Sequence, residues 1–173
     1  MDLSHVLWIG GGRGSGTSSV AQTLARQFEL QLYSLDRYKP LHEPRMPRME
    51  ADSEAEETPA GLVDRFVKAS RHRFRLVLED LAALPPSPLA IVEGVELFPT
   101  SVAAVLREPD HALFLLAGRC ETRFDELVAQ RYAWEARDLR LTAFSGDAPI
   151  EETIARAAAY FTPVISGATD TSP

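Results

Sequence analysis

The 173-residue chain has one cysteine, Cys120, only four histidines, and no apolar run of membrane length. A lone cysteine excludes an intramolecular disulfide framework and a cysteine zinc cluster, and it fits a cytoplasmic home best. His5, His42, His72 and His111 show no metal-ligand spacing. The opening "MDLSHVLWIG" has about six apolar residues before its glycines, too few for a signal-peptide core or a membrane span. Positive charge is also scarce, with 18 Lys and Arg against 25 Asp and Glu and a formal net charge of -7. Broad binding to nucleic acid needs a basic face, so neither nucleic acid nor membrane is an expected partner.

Against these absences, 45% hydrophobic and 25% charged residues are ordinary values for one soluble domain, expected over residues 1–165. "HVLWI" is a short apolar run that ends in glycines, and "TSSVAQTLARQF" after it repeats Val20, Leu24 and Phe28 every four residues. That pattern predicts strand, loop and helix. "LQLYSLD" predicts a second strand ending at Asp36, followed by a proline-bearing excursion over residues 37–57 that reads as mobile. Thr58 and Pro59 start a long helix marked by Leu62, Phe66, Phe74, Val77, Leu78 and Leu81. "LAIVEG" and "HALFLLAG" predict two more strands, then come a helix through Phe124, Leu127 and Val128, a strand in "LRLTAF", a helix in "PIEETIARAAAYF" and a flexible tail at 166–173. Strands alternating with helices make the fold class α/β, with a parallel sheet of about five strands covered on both faces.

Ligands in such sheets gather at the carboxyl ends of the strands. There stands "IGGGRGSGTSS", which fits the phosphate-binding pattern G-x-x-x-x-G-K-[ST] through Gly11, Gly12, Arg13, Gly14, Ser15, Gly16, Thr17 and Ser18. The one departure is Thr17, which occupies the lysine position. Inward-turning amides and the positive end of the following helix still suit an anion, and Ser18 keeps the hydroxyl that would hold magnesium. A missing charged hydrogen bond weakens binding by about 1.5–3 kcal/mol. A missing transition-state donor costs about a hundred- to a thousandfold in rate. Arg13, inside the loop, or an arginine of the lid is the candidate substitute cation. A dinucleotide-binding G-x-G-x-x-G cannot be laid on this stretch, because each candidate third glycine falls on Ser15, Thr17 or Ser19. A glycine turn that binds nothing stays an alternative.

Asp36, at a strand end, is placed to draw the proton from an attacking hydroxyl or to anchor a substrate, with turn capping as its alternative role. Glu93 closes "LAIVE" and could hold magnesium through water or bind the acceptor; Glu96 is a weaker candidate. Among the many arginines, Arg123 and Arg131 are the expected lid cations, and most others read as solvated surface. Cys120 reads as structural.

On "LWIGGGRGSGTSSVAQTLARQF", "LYSLDRY", "LAIVEG" and the arginine-bearing helix after "HALFLLAG", the chain resembles P-loop small-molecule kinases of the nucleoside monophosphate, shikimate and gluconate kinase type over about residues 5–163. The resemblance implies a three-layer P-loop kinase fold and ATP with Mg2+ on the glycine loop. It also implies a small-molecule acceptor over Asp36 and the excursion, a lid at about 119–140, and adenine near Ser145–Asp147. The expected activity is transfer of the terminal phosphate of ATP to a hydroxyl of a small metabolite. The alternative, motivated by Thr17, is a catalytically weak nucleotide- or phosphate-binding protein with a regulatory or scaffold role.

Overall fold

Three of the predicted strands consist almost wholly of residues that water disfavours, and they form the middle of the sheet. In the computed structural model, which describes residues 2–47 and 58–169, β1 (Val6–Gly11) and β3 (Ala90–Gly94) are buried at every position, and β4 (Ala112–Ala117) at its first four. Burial on both faces is the mark of interior parallel strands. All five strands run parallel in the order β2-β3-β1-β4-β5, with β2 (Gln31–Ser34) and β5 (Ala143–Gly146) at the edges.

Side chains alternate across the sheet and build two cores. Val6, Trp8, Val92 and Phe114 face α3 (Pro59–Ala82), α4 (Pro99–Ala103) and α5 (Arg123–Asp138). Leu7, Ile9, Ile91, Leu113 and Leu115 face α1 (Thr17–Gln27) and α6 (Ile150–Thr169). Each fully buried large side chain contributes roughly 1.5–3 kcal/mol. The three layers put the carboxyl ends of β1, β2 and β3 side by side, with Ser34, Ile9 and Glu93 in register.

Local signals fix the helix starts. Thr58 Oγ1 accepts from the Gly61 amide at 3.1 Å with Pro59 opening α3, and Thr122 caps α5 through the Asp125 amide, also at 3.1 Å. Five boundaries differ from the sequence reading, the first being the strand expected in "LRLTAF", which runs instead over Ala143–Gly146. β2 stops at Ser34, and Leu35 opens α2 (Leu35–His42), because the buried Leu35 side chain packs on the core as part of a helix; Asp36 therefore sits in a helical first turn. The excursion expected at 37–57 begins as α2 and a 3-10 turn at Glu43–Arg45, while 48–57 lie outside the described residues. The stretch expected as a lid is mostly α5, fastened to the body by Val128, Tyr132 and Ala136. α6 passes Phe161 and reaches Thr169 because Ile165 is still core, so the expected tail starts in helix and 170–173 lie outside the described residues. Among the described residues no helix is long and apolar enough to cross a membrane.

Candidate active site

The loop from β1 to α1 turns on two left-handed glycines, Gly14 at φ 75° and Gly16 at φ 87°. A β-carbon at Gly16 would also come within 2.8 Å of Ile150 Cδ1. Gly11 lies under the loop, where an added β-carbon would meet Ser15 Oγ at 2.6 Å and Thr17 Cγ2 at 3.0 Å. Thr17 is thus buried with its methyl turned back over the end of β1. Ser15 is 7% exposed, and its hydroxyl is buried without a hydrogen-bond partner. An unpaired buried hydroxyl costs about 1–3 kcal/mol, and this one is available to donate to an acceptor atom at the loop.

Ser18, one residue into α1, donates to Glu93 Oε2 at 3.0 Å. Ser34, at the end of β2, donates to the other oxygen of the same carboxylate at 2.5 Å. Glu93 is 2% exposed, so its charge is held by two hydroxyls where three strands end. Among the described residues, no group of three His, Cys, Asp or Glu side chains could hold a metal by itself. Magnesium does not need one, since it keeps several waters and takes one or two protein oxygens along with phosphates. Ser18 and Glu93 offer hard oxygens of that kind at the loop.

Next to Glu93 lies a chain of charges that the sequence reading did not assemble. Lys39 Nζ bridges Asp36 Oδ1 at 2.7 Å and Glu96 Oε1 at 3.1 Å. Arg73 Nε donates to Glu96 Oε2 at 2.7 Å, and its Nη2 donates to Glu43 Oε2 at 3.1 Å. Its Nη1 is buried without a hydrogen-bond partner. Burial by itself would lower the Lys39 ammonium, but Asp36 and Glu96 together hold it above the ordinary lysine value. Beneath α2, Tyr33 donates to Asp80 at 2.6 Å, and His42 Nε2 lies 2.9 Å from the same oxygen. Burial first, then Asp80, pushes the Tyr33 hydroxyl well up. These contacts pin α2 and α3 at the site's edge.

Asp36 is within this chain but outward-facing, with its side chain 62% exposed. Arg13 is 78% exposed and reaches Asp125 at 3.9 Å. Arg123 pairs with Glu126 on its own helix at 2.6 Å. Arg131 pairs with Glu135 at 2.8 Å, and that buried carboxylate also takes the amide and hydroxyl of Thr100. The structure therefore gathers Gly11–Ser18 and Glu93 around the loop, places Asp36 at the neighbouring corner, and ties Arg123 and Arg131 to carboxylates of α5. Arg73 was hidden among surface arginines, yet its spacing with Ser70 and Val77 marks the buried face of α3. Cys120 is a free thiol pushed up by burial and by Asp125 and Glu126, which makes it a poor nucleophile.

No family model matches the sequence, and no curated protein matches it. Solved structures do. A gluconokinase from Sinorhizobium meliloti 1021 is similar over 100% of both chains, with a TM-score of 0.57 at 14% identity. A shikimate kinase from Aquifex aeolicus is similar over 91% of this chain and 96% of its own, with a TM-score of 0.51 at 15% identity. A shikimate kinase from Bacteroides thetaiotaomicron has a TM-score of 0.50 at 15% identity over 91% and 98%. At such identities the likeness concerns the fold, and the fold is the three-layer parallel architecture of P-loop kinases.

Proposed function

We propose that the chain is a small-molecule phosphotransferase that moves the terminal phosphate of ATP to a hydroxyl of a small metabolite. The single observation that carries this reading is the loop-side arrangement of Ser18 and Ser34 on the buried Glu93 carboxylate, beside the unpaired Ser15 hydroxyl. An empty glycine turn has no use for a buried acid held by two hydroxyls.

Amides from Gly12 to Ser18 would cradle phosphate oxygens at the positive start of α1. Ser18 and Glu93 would hold magnesium, which when bound offsets negative charge on the phosphates. Asp36 would orient the acceptor hydroxyl and take its proton as the new O–P bond forms and the bond to ADP breaks. Arg13, whose long, exposed pairing with Asp125 is screened by solvent, is the cation freest to turn toward the phosphates. Calorimetry with ATP and ADP, with and without magnesium, tests the nucleotide site, and ADP release tests turnover. Binding that ignores magnesium would contradict the role of Ser18 and Glu93; absence of binding would contradict the whole reading.

A second reading, a nucleotide- or phosphate-binding regulator without turnover, is favoured by one observation. Each arginine offered as a stand-in for the missing lysine is already paired: Arg13 with Asp125, Arg123 with Glu126 and Arg131 with Glu135. Magnesium-dependent ATP binding without ADP release, in the presence of hydroxyl acceptors, would decide for it.

A further inference from the structure

The kinase reading places the acceptor at the carboxyl ends of β2 and β3, and the charges there bear on what the acceptor is. Asp36, Glu43 and Glu96 face Lys39 and Arg73, and each cation already bridges two carboxylates. Three residues before Glu96 stands a fourth carboxylate, Glu93, which is bonded by hydroxyls and by no cation. The corner is therefore net negative, and its two cations are spent.

We infer that the acceptor is an uncharged, hydroxyl-rich small molecule, and not a carboxylate or a phosphate ester. The inference rests on the kinase reading only for which corner holds the acceptor. An anion entering here meets more carboxylates than cations, and drawing Arg73 away from Glu96 would break a buried ion pair, which is costly. A polyol makes no such demand. Its hydroxyls can donate to the exposed Asp36 carboxylate.

The surrounding cations do not alter this balance. Arg45 is paired with Glu79. Arg37 is exposed and leaves α2 about 100° round the helix from Asp36.

D-glucitol and D-gluconate share a six-carbon hydroxyl chain and differ by one carboxylate, which makes them matched probes. Each is titrated calorimetrically into the full chain, with saturating magnesium ADP and again without nucleotide, at fixed ionic strength. The expected result is glucitol binding at least about tenfold tighter than gluconate. Glu96→Gln, which leaves Lys39 with Asp36 alone and Arg73 with Glu43 alone, should narrow that gap to about threefold or less. Should that buried variant fold poorly, Asp36→Asn changes an exposed carboxylate and should raise gluconate affinity severalfold. Gluconate binding as tightly as glucitol in the unaltered chain would overturn the inference, and so would failure of both to bind. An absent ADP heat with the glucitol preference intact would overturn the kinase reading alone, whereas normal ADP binding with a gluconate preference would overturn only this inference.

Discussion

The glycine loop and the corner beside it solve opposite problems with opposite materials. The loop carries almost no charge of its own: it offers backbone amides, two left-handed glycines, hydroxyls, and a threonine in place of a lysine. The corner at the ends of β2 and β3 is crowded with charge, and both of its cations are already engaged by carboxylates. The difference teaches that charge supply cannot be judged from residue counts. The near-neutral stretch from Gly11 to Ser18 offers amides and hydroxyls, while the corner's lysine and buried arginine are already engaged by carboxylates.

The largest way to disturb this contrast is Arg73→Met. It leaves Glu96 and Glu43 without their shared partner, and removing one member of a buried pair costs about 3–5 kcal/mol. Chemical denaturation should show a loss of that size. Adding Glu96→Gln should return part of it, because the buried carboxylate left with only Lys39 is then gone; no recovery would mean that the arginine acts by packing alone.

Next in size is Thr17→Lys. If the loop lacks only its cation, restoring one charged hydrogen bond should tighten magnesium ATP by about 1.5–3 kcal/mol, measured by calorimetry. The buried setting of Thr17 sharpens the test, since its methyl already fills space over Gly11. Unchanged affinity would show that the loop has closed over the lysine position.

Gly16→Ala should be smaller, about 1–2 kcal/mol of stability from the left-handed backbone, plus the contact with Ile150. Gly14→Ala meets nothing within 4 Å and isolates the backbone cost. A thermal melt that ranks Gly14→Ala as the more damaging would break the account of the loop's shape.

The loop's shape was largely legible in the sequence, because glycine spacing between a strand and a helix encodes backbone geometry directly. Glu93 was legible too, as a charge ending an apolar run. The corner was not, because Arg73 and Glu96 lie 23 residues apart and meet only once α3 packs across β3. Asp36 was placed at a strand end for a related reason: nothing in "LYSLD" announces that Ser34 ends the strand and Leu35 opens a helix, a boundary set by Leu35 docking on the core. Pro40 within that short helix pointed to a loop even though its tertiary contacts hold. Spacing along one element is a local property, whereas ion pairing belongs to the assembled fold.

The smallest effect on stability belongs to Arg13→Ala, and it separates the two regions most cleanly. Arg13 is 78% exposed and meets Asp125 only at 3.9 Å, so its removal should change stability by less than about 0.5 kcal/mol. If this guanidinium is the loop's borrowed cation, magnesium ATP should nonetheless bind about tenfold more weakly, since even one charge-assisted contact is worth about 1.5 kcal/mol. A silent melt with weakened nucleotide binding would place the missing charge on a side chain the fold does not otherwise need. Unchanged binding would leave the phosphate cradle to amides and hydroxyls alone, and would favour a protein that holds nucleotide over one that cleaves it.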